Sequence, residues 1–501
     1  MADFDIAVVG GGINGAGIAR DAAGRGLRVL LVEQNDLASG TSSASSKLIH
    51  GGLRYLERFA FRLVREALSE REVLLRTAPH LVRPMRFVLP PTPGPRSAPM
   101  LRLGLWLYDH LGERRFLPPT ATIDLTHHPA GAPLKRSYRF AFEYSDCAVD
   151  DARLVVLTAR DAAERGAAIR TRTRLTRAER GPDHWQLVLN NRGRRETATA
   201  RVLVNATGPW APQVAETVLR VPLRRPMRLV KGSHIVVRSR FAHTSGYLFQ
   251  AEDRRVVFAL PFGRDFTLIG TTDQPFVGDV NAPAPSPEEV AYLCRAVNGY
   301  FRDTVTADEV VWSFSGVRSL QDDGRGRPED VTRDYTLALD RTSGTAPLLT
   351  VYGGKITTFR RLAEEAVGQL SRFFATARPA WTRTALLPGG EFPYDKLDAV
   401  AAHLRERWPF LTEMHAARLA RAYGLRAERI LDGAARAEDL GERFTGDLTA
   451  AEVRYLMRQE WALLPDDVLW RRSKFGLIAS AAEREALARF MVAEGGAAPP
   501  A

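Results

Sequence analysis

Residues 5–33, "DIAVVGGGINGAGIARDAAGRGLRVLLVE", read as strand, turn, helix and strand. "DIAVVGGG" is a short apolar run that ends in glycines, "NGAGIARDAAGRG" is an Ala-rich helix closed at Gly26, and "LRVLLVE" is a second buried strand. Gly10, Gly12 and Gly15 stand at the G-x-G-x-x-G spacing. Such glycines give a tight turn, a close backbone approach to a diphosphate and close helix–strand packing. Asn14 lies in the turn, and the helix that opens there offers N–H donors and a positive dipole to an anion. Glu33 ends the second strand, roughly 20 residues on, where a carboxylate can accept from ribose hydroxyls. The stretch predicts an α/β, Rossmann-like unit with a dinucleotide site. By itself it does not choose between NAD and FAD.

The rest of the chain does. A nicotinamide dehydrogenase would continue with more βαβ repeats. Here a polar loop follows, "TSSASSKLIHGGLRYL" (41–56), then an amphipathic helix over 61–79 stopped at Pro79, then an irregular Pro-rich stretch over 79–100. A helix is predicted over 150–167. A meander of strands follows and returns through "VNATGPWA" (204–211), which carries Ala206, Thr207 and Gly208. Residues 228–273 read as an antiparallel sheet. A distant strand then ends in "YGGKITTF" (352–359) and opens a further helix. Gly353 and Gly354 permit close approach to a flat ring. Lys355 and the helix start near Thr357 would stabilise the negative charge of a reduced flavin. These features select FAD. Past "LLPGG" (386–390), residues 396–495 read as helices, a separate C-terminal unit.

Composition narrows the class further. The chain has 501 residues, 45% hydrophobic and 26% charged, enough for two to four structural units. Two cysteines and no Cys/His cluster argue against a disulfide framework or a metal site. The start, "MADFDIAVVGGG", does not read as a signal peptide, and no apolar run approaches the roughly 20 residues of a membrane span. "MLRLGLWLYDHLG" (100–112) fits a core helix better than an interfacial segment, and is kept as a candidate lipid-facing patch. Net charge is +12, almost all of the basic residues being Arg. Such a surface favours anionic lipid or substrate, and the spread of charge along the chain argues against nucleic acid.

"VVGGGINGAGIARDAAGRGL", "TSSASSKLIHGGLRYLE", "EYSDCAVDDARLV", "LVNATGPW", "KGSHIVV", "IGTTD", "SGVRSL", "TRDYTL" and "GGKITTFR" together resemble the FAD-dependent, membrane-associated glycerol-3-phosphate dehydrogenases, in order from about residue 5 to 375. The C-terminal unit is similar to that family's as well. "SSKLIHGGLRYL" is the most specific string, whereas "VNATG" is shared across the wider glutathione-reductase-like and amino-acid-oxidase-like group. The resemblance implies oxidation of sn-glycerol 3-phosphate to dihydroxyacetone phosphate, hydride passing to flavin N5 and electrons onward to a membrane quinone. It also implies a cytoplasmic protein, peripheral on the anionic inner face of the cell membrane, and a homodimer. The implied layout is an FAD-binding domain (1–80, 145–225 and 315–375), a substrate-binding domain (81–144 and 226–314) and the helical domain (385–501). A glycerol-3-phosphate oxidase, a non-catalytic flavin-binding protein and a soluble NAD-dependent dehydrogenase are the rivals.

Oxidising a secondary alcohol requires a base for its proton and cations for the distant phosphate. His50 and His234 are the candidate bases, since imidazole titrates near neutral pH. For the phosphate, the resemblance points to Arg54 and Arg318, with Tyr55 and Lys355 nearby and Arg333 as a weaker candidate. Ser42, Ser43, Ser46, Lys47 and Leu48 are expected against the flavin's diphosphate, ribityl chain and ring edge. "DLASGTSSASS" departs from the family at Ser39-Gly40, where bulkier residues are common, with no catalytic consequence.

Overall fold

The computed structural model describes residues 2–92, 97–112, 115–223, 225–253, 255–322 and 334–497. Its first sheet is built on the strand Phe4–Val9, which pairs in parallel with Val29–Val32 on one side and Arg194–Asn205 on the other. Leu348–Tyr352 adds in parallel beyond Arg194–Asn205, and Ala168–Arg170 adds in parallel beyond Val29–Val32. Both faces are covered, as a sheet of largely apolar strands requires. The two-residue period of the strand divides its side chains. Ile6 and Val8 join a core with the helices Ile13–Gly24, Asp151–Glu164 and Phe359–Leu370. Ala7 and Val9 join a second core, with Trp185, Leu187 and Leu189 of the antiparallel meander Thr173–Arg180 and Trp185–Asn191.

Among the described residues the second sheet has ten strands. Its spine is the long antiparallel pair Met227–Arg238 and Val310–Gln321. Phe266–Gly270, Val256–Phe262 and Gly246–Gln250 follow in antiparallel order. Two findings differ from the sequence reading. The sheet contains one parallel junction, where Gly246 and Tyr247 meet Phe87 and Val88. The stretch expected to be irregular forms the strand Val82–Leu89, paired with Phe140–Val149. Pro84 is tolerated there because the parallel partner reaches only Phe87 and Val88, so a missing N–H at Pro84 breaks no ladder bond on that side. Phe140–Val149 and Val310–Gln321 also run through the divisions expected at 144/145 and 314/315.

The C-terminal helices Leu397–Arg407, Glu413–Tyr423, Ala450–Glu460 and Ala481–Ala493 enclose a core of their own. Arg153, on the helix Asp151–Glu164, forms a fully buried ion pair with Glu460 that ties this unit to the first sheet's helices. The stretch 41–58 adds the short strand Leu48–Ile49 to the second sheet, paired with Phe140–Val149, and the site lies along it.

Candidate active site

A cavity of about 410 Å³ extends from the glycine turn to the second sheet. At one end the strand Phe4–Val9 hands over to the helix Ile13–Gly24. A Cβ at Gly15 would lie 1.9 Å from the Gly10 carbonyl oxygen, so this glycine sets helix–strand packing and does not line the cavity. Gly10 takes φ +111°, and a Cβ there would meet the Ala206 oxygen at 2.6 Å. Gly12, Asn14, Ala206, Thr207 and Gly208 line the cavity. Ser42 Oγ accepts from the Ile13 N–H at 3.0 Å, which places its hydroxyl at the helix start. Glu33 accepts from Gly11 N–H at 2.7 Å and Asn35 N–H at 2.8 Å, and burial raises its pKa above the ordinary carboxylate value.

These residues fit FAD. Asn14 lines the cavity and donates to the Gly353 oxygen at 3.2 Å, while its own buried Oδ1 has no hydrogen-bond partner among the described residues. A buried acceptor of this kind calls for a donor that the described residues do not supply. The backbone N–H groups of the turn, the Glu33 carboxylate and the open space over Gly353 and Gly354 make up the rest of a dinucleotide cradle.

The loop 42–50 turns some side chains to the cavity and others away from it. Ser46, Leu48 and His50 line the cavity, whereas Ile49 enters the core. Lys47 turns away, contrary to expectation. Its ammonium is buried against Asp151 at 2.9 Å and donates to the Ser43 oxygen at 2.8 Å. Ser43 is likewise off the cavity wall, its hydroxyl donating to the Gly40 oxygen at 3.3 Å. His50 is fixed through its backbone: its N–H donates to Thr357 Oγ1 at 3.3 Å, and the Thr357 hydroxyl donates to the His50 oxygen at 3.4 Å. Next to it, Gly51 N–H donates to the Tyr108 hydroxyl at 2.8 Å, and that hydroxyl donates to Asp146.

The two candidate bases are therefore not equivalent. His234 is 1% exposed and lies behind the cavity wall, its Nε2 2.9 Å from Ser46 Oγ. Its ring stacks on Phe314 at 4.9 Å, and a Cβ on Gly270 would fall 2.1 Å from its Cδ2. Burial, with Arg318 and Lys47 adding, holds its pKa well below the ordinary imidazole value. His234 is a neutral ring that touches Ser46, and it does not reach the cavity.

At the far end the cations assemble. Arg318 donates to Asp273 at 2.5 Å and to Thr271 Oγ1 at 3.3 Å, and Arg54 lies 3.8 Å from the same carboxylate. A Cβ on Gly232 would sit 2.4 Å from Arg318 Nη2, so this glycine makes room for the guanidinium. The Lys355 ammonium lies 3.8 Å over the Tyr55 ring. Arg54, Tyr55, Arg318, Lys355 and Asp273 all line the cavity. Arg333 falls outside the described residues. Asp273, the acid of "IGTTD", is not among the residues expected from the sequence, and neither is the nucleotide-end wall of Gln34, Thr173 and Arg174. Those positions carry no motif, and only the pairing of Val29–Val32 with Ala168–Arg170 brings them together.

The chain is similar to known proteins along most of its length. Residues 5–360 match the family described as FAD dependent oxidoreductase, and residues 380–494 match the C-terminal domain of alpha-glycerophosphate oxidase. The chain is 52% identical to a glycerol-3-phosphate dehydrogenase of Pseudomonas aeruginosa, over 98% of this chain and 95% of that protein. It is 51% identical to a D-erythritol 1-phosphate dehydrogenase of Brucella abortus, over 96% of each. The solved structure of a glycerol-3-phosphate dehydrogenase from Bacillus halodurans complexed with FAD superposes with a TM-score of 0.77 at 27% identity, over 98% of this chain and 90% of that one.

Proposed function

We propose a reaction from one premise: the chain belongs to the FAD-dependent oxidoreductases, in the branch of the glycerol-3-phosphate dehydrogenases. It is an oxidoreductase that takes sn-glycerol 3-phosphate to dihydroxyacetone phosphate, with FAD as cofactor. The alcohol carbon must lose a hydride and its oxygen a proton. FAD held in this cavity would supply the hydride acceptor, and a membrane quinone would be the onward acceptor. The chain supplies the remainder.

His50 takes the hydroxyl proton, because it is the candidate base on the cavity wall and its backbone is clamped by Thr357. Arg54 and Arg318 grip the phosphate with planar forks of donors, and Lys355 adds a third positive charge. Asp273 holds the two guanidiniums together before substrate arrives, so less ordering remains to be done on binding. Ser42, Ser46, Leu48, Gly10, Gly12, Asn14, Glu33, Ala206, Thr207, Gly208, Gly353, Gly354 and Thr357 hold the cofactor, while Gly15 shapes the turn. The observation that carries the reading is that His50, Arg54, Arg318 and Lys355 all line the cavity that begins at the glycine turn.

A four-carbon polyol phosphate is the competing substrate, because the Brucella relative stands at nearly the same identity. Measured kcat/KM should favour glycerol 3-phosphate over D-erythritol 1-phosphate by tenfold or more; the opposite order would reassign the substrate. An anaerobic assay with a soluble quinone analogue, run beside a peroxide assay in air, separates the dehydrogenase from an oxidase.

Among the described residues no helix is long and apolar enough to cross a membrane. The helix Ala98–Leu111 instead has two faces. Leu105 and Tyr108 are buried, while Met100, Leu103 and Trp106 are each more than half exposed. Phe59, 78% exposed, and Phe61 extend this apolar surface, and the neighbouring Leu53 and Leu101 line the cavity. We assign this face to the lipid surface, as the route by which a quinone reaches the site. A homodimer on the inner face of the cell membrane completes the reading.

A further inference from the structure

One turn of the C-terminal unit reaches back to the nucleotide end of the cavity. The π-helical segment Asp467–Arg472 carries three charged side chains that point at the first sheet. Arg472, fully buried, donates to both Asp36 oxygens at 2.6 and 2.8 Å and to the Glu460 backbone oxygen at 2.5 Å. Arg471 donates to Asp36 at 2.5 Å. Asp36 is 1% exposed, three residues beyond Glu33, in the turn whose Ala38 N–H bonds the Gly11 oxygen at 3.1 Å. The carboxylate of Asp467 holds Arg172 at 2.6 Å as well as Arg471.

Arg172 stands in the turn before the strand Thr173–Arg180, with φ +53°. Its N–H bonds the Asn35 oxygen at 2.8 Å, and Thr173 N–H bonds the Glu33 oxygen at 2.8 Å. The segments 32–35 and 173–175 are the two walls of the cavity's nucleotide end. Both are thus fixed from behind by a single turn more than 290 residues further along the chain. None of Asp36, Arg471 or Arg472 lines the cavity itself.

We infer that the turn Asp467–Arg472 is a positioning device for the adenosine half of the flavin. Arg471 and Arg472 fix Asp36, and with it the turn that presents Glu33. Asp467 fixes Arg172, and with it the facing wall. A buried carboxylate with its cations removed cannot keep its place, so the loop 33–38 would reorganise. The inference rests on FAD being the cofactor.

The test uses full-length holoenzyme and follows FAD release on dilution as recovered flavin fluorescence. Arg472→Ala and Arg172→Gln should each release FAD at least tenfold faster than the unaltered protein. Added FAD should restore turnover with the KM for glycerol 3-phosphate unchanged and the visible flavin spectrum unaltered, since the substrate end is untouched. Arg454→Ala, which removes an ion pair to Glu494 inside the C-terminal unit, is the control and should release FAD within twofold of the original rate. Arg172→Gln decides the matter should Arg472→Ala fail to fold. Normal FAD release from a folded variant, or a changed KM and flavin spectrum at saturating FAD, overturns the positioning role. Unaltered protein purified without flavin and unable to take it up would instead overturn the cofactor assignment.

Discussion

Asp273 explains how two arginines can wait in one pocket. Like charges repel, and the carboxylate between them offsets that repulsion before a phosphate arrives. Removing one guanidinium should therefore weaken substrate binding and leave the cofactor alone. Arg318→Ala is expected to raise KM by about 10- to 100-fold, the ~1.5–3 kcal/mol of a charge-assisted hydrogen bond, in protein that stays yellow. Loss of flavin from this variant would contradict the role given to Arg318. His50→Asn should lower kcat by about 100-fold or more, the usual scale for a general base, with FAD still bound. Rapid-mixing measurement of flavin reduction checks it, and a wild-type rate would remove His50 from the chemistry. Much of this was legible in the residues: "HGGLRYL" and "SGVRSL" pointed at Arg54 and Arg318. Which serines and which histidine face inward was not. Lys47 takes φ +58°, the loop alternates about it, and its carboxylate partner lies 104 residues away. No local pattern encodes such a distant pair. His234 is hidden for the same reason: its neighbour across the sheet, Phe314, is fixed only by long-range register.

At the scale of elements, the strand–turn–helix at residues 4–24 decides cofactor binding. A Cβ at Gly12 would already lie 3.1 Å from Ser42 Oγ, and a branched side chain would extend into the cavity. Gly12→Val is expected to purify colourless; yellow protein would place the diphosphate elsewhere. This unit was plain in the sequence because helix and strands declare themselves over short range. The strand Val82–Leu89 was not, because Pro84 and the flanking prolines read as breakers, and only one-sided pairing makes the position tolerable. The apolar helix at 98–111 has one face in the core and the other exposed. Trp106→Glu should reduce cosedimentation with anionic vesicles without changing turnover of soluble acceptors. Unchanged sedimentation would move the lipid contact to another face.

Across the whole molecule, the joint between the flavin unit and the C-terminal helices concentrates buried charge. His80 lies in it, packed near Gly390 and Phe392, both ring nitrogens lacking a hydrogen-bond partner among the described residues. Burial, with Arg153 and Arg426 adding, pushes its pKa down to about 3. An unfolded imidazole takes its proton near pH 6.5. Between those values the unfolded chain holds the extra proton, so stability falls as pH falls through that window, by up to about 1.4 kcal/mol per pH unit. His80→Asn should shrink the loss between pH 7 and pH 5 by about 2 kcal/mol, read from denaturant unfolding at the two pH values. An unchanged loss would mean that His80 is not buried in solution. The three-part architecture was readable from changes of pattern along the chain. Its joints were not, since Asp36 and Arg472 are 436 residues apart.

If substrate and cofactor meet in one cavity, anaerobic titration of the purified protein with sn-glycerol 3-phosphate will show it in the visible spectrum. The flavin absorbance should bleach in proportion to added substrate, with dihydroxyacetone phosphate formed one for one. A flavin band that stays unbleached at saturating glycerol 3-phosphate would contradict the account.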